Sequence, residues 1–168
     1  MKKIKKIFIS ILIIGFVSNI QSQNNFSNRK IDNLKNQVEQ LVEEDKKMTQ
    51  VMIDKVFSFG ELGFQEFETS KYMGAILEEN GFDVEYKISD IPTSWLAKWS
   101  NGEGGPVIAL GSDFDGVPST SQYPGVAYEK PVVEGAPGHG EGHNIGLPIV
   151  LTSALSLKKI MIENNING

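Results

Sequence analysis

The stretch Val107-Ile108-Ala109-Leu110-Gly111-Ser112-Asp113-Phe114-Asp115-Gly116 decides the expected fold. Its four leading apolar residues predict a short strand in the interior of a sheet, because a strand covered on both faces has no polar positions. Asp113 and Asp115 follow directly, and their alternation with Phe114 places both carboxylates on the same side. Because α/β proteins bind ligands at the carboxyl ends of strands, both acids are candidate functional residues. The alternative is a simple turn, since Asp-Gly after a strand is a common turn signal.

A helix and two more strands precede this stretch. Residues 66–80 have apolar side chains at helical spacing, and Gly81 follows where helices commonly end in a left-handed residue. Residues 82–88 alternate apolar and polar side chains, as a half-buried strand does, and residues 95–100 form a second strand after a turn.

Helices are also expected at both ends of the chain. Apolar residues recur at three- and four-residue steps between residues 31 and 59, which predicts one long amphipathic helix or two consecutive ones. Residues 111–142 form a long loop rich in Gly, Pro and Ser. A last helix is expected from about Asn144, a good N-cap residue, to Asn164, with Pro148 in its first turn. This order of elements indicates an α/β or α+β sheet with helices packed on it.

The N-terminus has the pattern of a secretory signal peptide over residues 1–23. An apolar run over residues 7–17 is shorter than a membrane span, and a polar segment follows it. The positive charges that precede the run are Lys2, Lys3, Lys5 and Lys6. We therefore expect an exported protein, periplasmic or secreted, with no membrane association after signal removal; the alternative is a retained N-terminal anchor. Residues 24–44 are expected to be a leader and the start of the first helix, and residues 45–168 the folded domain.

The whole chain is acidic and contains no cysteine. Its net charge is −5 with a pI near 5.1, which argues against nucleic-acid partners, since these are bound through clustered Lys and Arg. Without thiolates, a metal would have to be held by imidazole and carboxylate groups.

Both histidines of the chain lie in the heptapeptide Gly138-His139-Gly140-Glu141-Gly142-His143-Asn144. Imidazole and carboxylate are standard ligands of zinc, and glycines at alternate positions let the backbone bend around an ion. The heptapeptide therefore predicts part of a metal site. The alternative is a glycine-rich surface loop with incidental histidines.

Three segments, residues 57–70, 111–118 and 135–144, together resemble the zinc metallopeptidase-type amidohydrolases, which include aminoacylases, indole-acetyl-amino-acid hydrolases and bacterial exopeptidases. The chain is most similar to the aminobenzoyl-glutamate utilization protein B group. The resemblance implies the N-terminal portion of a zinc-exopeptidase-like three-layer α-β-α catalytic domain. It also implies hydrolysis of an amide bond between an acyl or aryl group and an amino acid, in an aminobenzoyl-glutamate-like or dipeptide substrate.

The resemblance also implies roles for individual residues. Glu141 and His143 match two metal ligands, with Glu141 in place of the usual cysteine, which favours an oxygen-tolerant ion such as Mn²⁺ besides Zn²⁺. Asp115 matches a catalytic acid that orients a ligand or the attacking water. Asp113 and His139 are expected in supporting positions near the ligands. Two divalent ions and a homodimer are implied for the full-length enzyme.

The family's chemistry requires a Glu-Glu pair and further histidines beyond the glycine-rich loop. After His143 the sequence offers only Glu163 as an acid and no histidine. We therefore expect an N-terminal fragment that is inactive or nearly so by itself. The alternatives are a truncated export product that binds metal or a peptide-like ligand without turnover, and a structural interaction domain without metal.

Overall fold

The computed structural model describes residues 2–168, with side chains from residue 28 onward. Its first helix, α1, spans Lys2–Phe59, which agrees with the prediction of one long helix over residues 31–59. The chain divides into two compact units, Met1–Gln40 and Leu41–Gly168. The predicted signal peptide lies outside the residues whose side chains are described, and it stays a prediction. The candidate site lies entirely in the second unit.

The second helix, α2, spans Phe67–Glu79 and begins with a cap supplied from outside the helix. The carboxylate of Glu61 accepts hydrogen bonds from the backbone N–H of Glu68 at 2.8 Å and of Thr69 at 2.9 Å. It therefore satisfies two of the N–H groups that have no partner within the first turn, and its negative charge favours the positive end of the helix dipole. After Asn80 the chain turns at Gly81, which has φ +74°, as the sequence predicts.

The sheet formed by the described residues is a two-stranded antiparallel hairpin. Strand β1 spans Asp83–Tyr86, strand β2 spans Trp95–Lys98, and a tight turn over Ile88–Asp90 lies between them. Val84 is paired with Ala97, and both lie against the helical core. The two predicted strands are thus present, each slightly shorter than expected.

The predicted third strand at Val107–Leu110 is wrong for the described part of the chain, where this segment is not assigned to a strand. Val107 is 97% exposed, and Ile108 and Leu110 are about half exposed. The apolar sequence suits a covered strand, but a strand also needs a hydrogen-bonded neighbour, and none of the described strands pairs with it. The expected α/β class therefore reduces here to helices packed on a small antiparallel sheet, and a three-layer arrangement is not formed by these residues.

The last helix, α3, spans His143–Glu163. Its N-cap is Gly142, whose φ of +100° is left-handed, and not Asn144, which is buried one residue inside the helix. The expectation of Asn144 as N-cap is therefore wrong, because the glycine makes the left-handed bend that starts the helix one residue earlier. Pro148 lies in the second turn and not in the first, so the helix lacks the N–H that would bond to the carbonyl of Asn144.

One hydrophobic core joins the three helices in the second unit. Its fully buried members are Met52 and Val56 of α1, Met73 and Leu77 of α2, and Leu147 and Leu151 of α3. Among the described residues, α3 is long and apolar enough to cross a membrane by length and composition. Because its buried face supplies part of this core, packing within the unit already accounts for its apolar sequence.

Candidate metal centre

Three loops that are distant in sequence meet at short backbone hydrogen bonds. Leu62 and Gly116 form a parallel bridge, and the N–H of Gly116 donates to the carbonyl of Glu61 at 2.6 Å. Val117 and Gly138 form an antiparallel bridge with hydrogen bonds of 2.8 Å and 3.1 Å in the two directions. These contacts bring together the three segments that carry the family resemblance.

Two of the bridging residues have to be glycine because neighbouring backbone is too close for a side chain. A Cβ at Gly138 would lie 2.5 Å from the carbonyl oxygen of Thr120, and a Cβ at Gly116 would lie 2.9 Å from the carbonyl oxygen of Gly138. The absence of a side chain thus permits the close approach that aligns the Asp113–Asp115 segment with the glycine-rich loop.

The bridges place one imidazole between two carboxylates. Nδ1 of His143 lies 3.0 Å from Oδ1 and 3.2 Å from the backbone carbonyl of Asp115, and Nε2 lies 3.3 Å from Oδ1 of Asp113. One candidate ligand atom from each of the three residues falls within 4.8 Å of the others. The Asp113–Asp115–His143 cluster is therefore compact enough to surround a single cation.

The surrounding negative charge changes the protonation of His143. Burial alone would lower its pKa, but the charges of Asp113 and Glu141 and the hydrogen bonds to Asp115 raise the pKa above its ordinary value. Two acceptors face the two ring nitrogens, so the protonated ring is favoured without a cation. A cation that binds the ring must displace one of these protons.

Glu141 lies beside the cluster and faces both histidines. Its Oε1 is 3.4 Å from Nδ1 of His139, 3.4 Å from the backbone N of His143 and 3.5 Å from Nδ1 of His143. Burial would raise the pKa of Glu141, but the hydrogen bonds from its own backbone, from His139 and from His143 lower the pKa below its ordinary value. Glu141 is therefore ionised at neutral pH and carries a negative charge next to the cluster.

Of the five residues named from the sequence, Asp113, Asp115 and His143 form the compact group. Glu141 adjoins it, and His139 contacts Glu141 without being part of the group. The roles expected for these residues stay predictions.

Two residues that position the site were missed at the sequence level. The ring of Phe114, between the two aspartates, stacks on Trp95 of β2 with ring centroids 6.4 Å apart. Glu61, which caps α2 through its side chain, holds Gly116 through its carbonyl. The alternation of Phe114 with the two acids was a usable signal for the first, because a side chain between two exposed carboxylates points into the protein.

The donor set fits a divalent cation. Two carboxylates and an imidazole are ligands that both zinc and manganese accept, and the described chain supplies no softer donor at this place. The side chains of Asp113, Asp115 and His143 are 73%, 42% and 30% exposed, so solvent reaches the cluster.

Comparison with known proteins agrees with this arrangement. No protein-family model matches the chain. The chain is 31% identical over 122 residues to a subunit of the p-aminobenzoyl-glutamate hydrolase of Escherichia coli (strain K12), and the match covers 73% of this chain and 25% of the relative. The chain thus spans about a quarter of the length of the curated relative that it matches. With three resembling segments joined at one place, the chain is a distant homologue of this p-aminobenzoyl-glutamate hydrolase.

Proposed function

We propose that this chain supplies a divalent-cation site to a metal-dependent amidohydrolase that cleaves the amide between an acyl or aryl group and an amino acid. The observation that carries the proposal is the convergence of Asp113, Asp115 and His143, whose ligand atoms lie within 4.8 Å of one another. The homology to p-aminobenzoyl-glutamate hydrolase supports the reaction class and suggests an aminobenzoyl-glutamate-like or dipeptide substrate.

The geometry supports different roles for the two aspartates. Asp115 accepts a hydrogen bond from Nδ1 of His143 at 3.0 Å, which orients the ring and leaves Nε2 directed towards Asp113. Metal-binding histidines commonly have such a carboxylate on their other nitrogen. We therefore assign cation binding to Asp113 and Nε2 of His143, and orientation of that ring to Asp115.

Glu141 contributes charge and a further oxygen close to the cation position. A bound divalent cation supplies Lewis-acid polarisation of the amide carbonyl. The acidic groups of the chain hold the cation and keep His143 in place. Zn²⁺ and Mn²⁺ are the proposed ions, and two ions are proposed for the full-length enzyme.

Further properties of the full-length protein belong to the same proposal. The lysine-rich, then apolar N-terminus supports export to the periplasm or the medium. A homodimer and a three-layer α-β-α domain are proposed on the homology, with the apolar segment Val107–Leu110 as an interior strand once further strands cover it.

Mn²⁺ binding to the full chain tests the site. We expect saturable binding by isothermal titration calorimetry, and a loss of affinity in His143→Ala at least as large as the roughly 10–100-fold that outer positioning partners cause. Asp83→Asn, which removes one acid from β1, is the matched control and should bind Mn²⁺ like the parent chain. The proposal fails if the parent chain binds no Mn²⁺, or if His143→Ala binds it equally well while its circular dichroism spectrum is unchanged.

The reaction class is tested separately with p-aminobenzoyl-glutamate. Ligand-induced thermal stabilisation in the presence of Mn²⁺ should be lost in His143→Ala, and any release of glutamate should be lost with it. Stabilisation that is the same with and without Mn²⁺ would contradict a metal-dependent amidohydrolase site.

A further inference from the structure

The imidazole of His139 is fully buried, although the loop around it is largely exposed. The exposed fraction of its side chain is 0%, whereas those of Glu141 and His143 in the same loop are 24% and 30%. Buried polar groups are costly unless their hydrogen bonds are satisfied, so a buried imidazole in a glycine-rich loop needs an explanation beyond chance.

Both ring nitrogens of His139 have partners, and the partners lie on different elements. Nε2 is 3.1 Å from the carbonyl oxygen of Val56, in the last turn of α1, and Nδ1 is 3.4 Å from Oε1 of Glu141. A carbonyl only accepts, so Nε2 carries the hydrogen in this contact. Because Val56 is fully buried in the core, the ring anchors the loop to the most rigid part of the unit.

Glu141 has little restraint from its own backbone. It lies between Gly140 and Gly142, and Gly142 has a left-handed backbone with φ +100°. Its carboxylate nevertheless faces the backbone N and ring Nδ1 of His143, at 3.4 Å and 3.5 Å. The contact with His139 connects this carboxylate to the core, so the direction in which Glu141 points depends on His139.

We infer that His139 is a positioning residue whose buried imidazole links Val56 of α1 to Glu141, and that this link sets the affinity of the Asp113–Asp115–His143 cluster for a divalent cation. His139 acts through Glu141 and does not bind the cation itself. The inference rests on the proposed cation site, and it adds a residue outside the compact ligand group to the determinants of that site.

A double-mutant cycle with Mn²⁺ tests the link. In His139→Gln the side-chain amide can replace Nε2 at the Val56 carbonyl, but it loses the contact of Nδ1 with Glu141. We expect Mn²⁺ affinity to fall about 10-fold or more, as for other partners that orient metal ligands. Glu141→Gln should cause a comparable loss, and the double variant should lose no more than the more affected single variant, because both remove the same link.

Glu134→Gln is the matched control, since it neutralises an exposed carboxylate in the same loop and should leave Mn²⁺ affinity unchanged. Fully additive losses in the cycle would show that His139 does not act through Glu141 and would overturn the inference. An unchanged affinity in folded His139→Gln would overturn it as well.

A metal-free measurement covers the case in which His139→Gln does not fold. The chain has two histidines, so the ring ¹⁵N signals of His139 can be assigned by comparison with His143→Ala. Glu141→Gln should shift the Nδ1 resonance of His139 and leave its Nε2 resonance in place. An unmoved Nδ1 resonance overturns the inference, whereas failure of the parent chain to bind Mn²⁺ overturns the proposed function, even if that resonance moves.

Discussion

Replacing Gly138 by alanine should separate the loops that build the candidate site. The new Cβ would lie 2.5 Å from the carbonyl oxygen and 2.9 Å from the carbonyl carbon of Thr120, and both are backbone atoms. Ordinary van der Waals contact begins near 3.4 Å, so one of the two backbone segments has to move by about 0.9 Å. Gly138 also exchanges two hydrogen bonds with Val117, and the same movement lengthens them.

The expected loss of stability follows from this overlap. Overpacking of a fixed site costs about 1–3 kcal/mol. For a chain of this size each kcal/mol lowers Tm by roughly 2–4 °C, so Gly138→Ala should melt several degrees below the parent chain. An alanine also stabilises by about 0.4–1 kcal/mol through the unfolded state, because it has fewer backbone conformations than glycine. This gain partly offsets the clash.

Gly140→Ala is the control that isolates the clash. Its Cβ would meet only the side chain of Thr120, at 3.6 Å and beyond, which is ordinary contact. Both variants share the unfolded-state gain, so the difference between their urea-unfolding free energies reports the steric effect alone. If Gly138→Ala is as stable as Gly140→Ala, the close approach of the two loops is wrong.

Three other variants test separate parts of the structure. Glu61→Ala should lose about 0.5–2 kcal/mol of stability in urea unfolding because two N–H groups of α2 lose their acceptor, and an unchanged midpoint would exclude the cap. Asp115→Asn should weaken Mn²⁺ binding about 10–100-fold with little change in Tm, and equal affinity would show that Asp115 does not orient His143. The raised pKa of His143 stabilises the fold fully below its ordinary value of 6.5, and this contribution disappears as pH rises through the raised value. Relative to His143→Gln, the metal-free parent chain should therefore lose Tm across that interval, and parallel Tm profiles would contradict the ion pairs.

The elements predicted from local pattern agree closely with the structure. Amphipathic spacing locates α2 and α3 to within about one residue at each end, and alternation locates β1 and β2. The errors occur where the deciding factor is not local. The apolar sequence Val107–Leu110 predicts burial, but it carries no information on which strand would pair with it. Asn144 has the right chemistry for an N-cap, but the left-handed backbone of Gly142 starts the helix first.

The candidate site was predictable only in part. The sequence places Asp113 and Asp115 on one side of their segment and Glu141 close to His143, because these pairs are two residues apart. The meeting of the two segments depends on the backbone bridges at Gly116 and Gly138, and no local pattern indicates them. The family resemblance suggested that meeting, whereas the backbone contact that anchors His139 could not be inferred from either source.

The bridges between Leu62 and Gly116 and between Val117 and Gly138 also have a kinetic consequence. Each closes a long chain loop, whereas α2 and the β1–β2 hairpin depend on contacts between near neighbours. Because loop closure is unfavourable until the joined surfaces reward it, the local elements should form before the folding barrier and the bridges after it. A cation held by Asp113 and His143 would then add stability that is absent at the barrier. It should slow the unfolding rate and leave the folding rate almost unchanged.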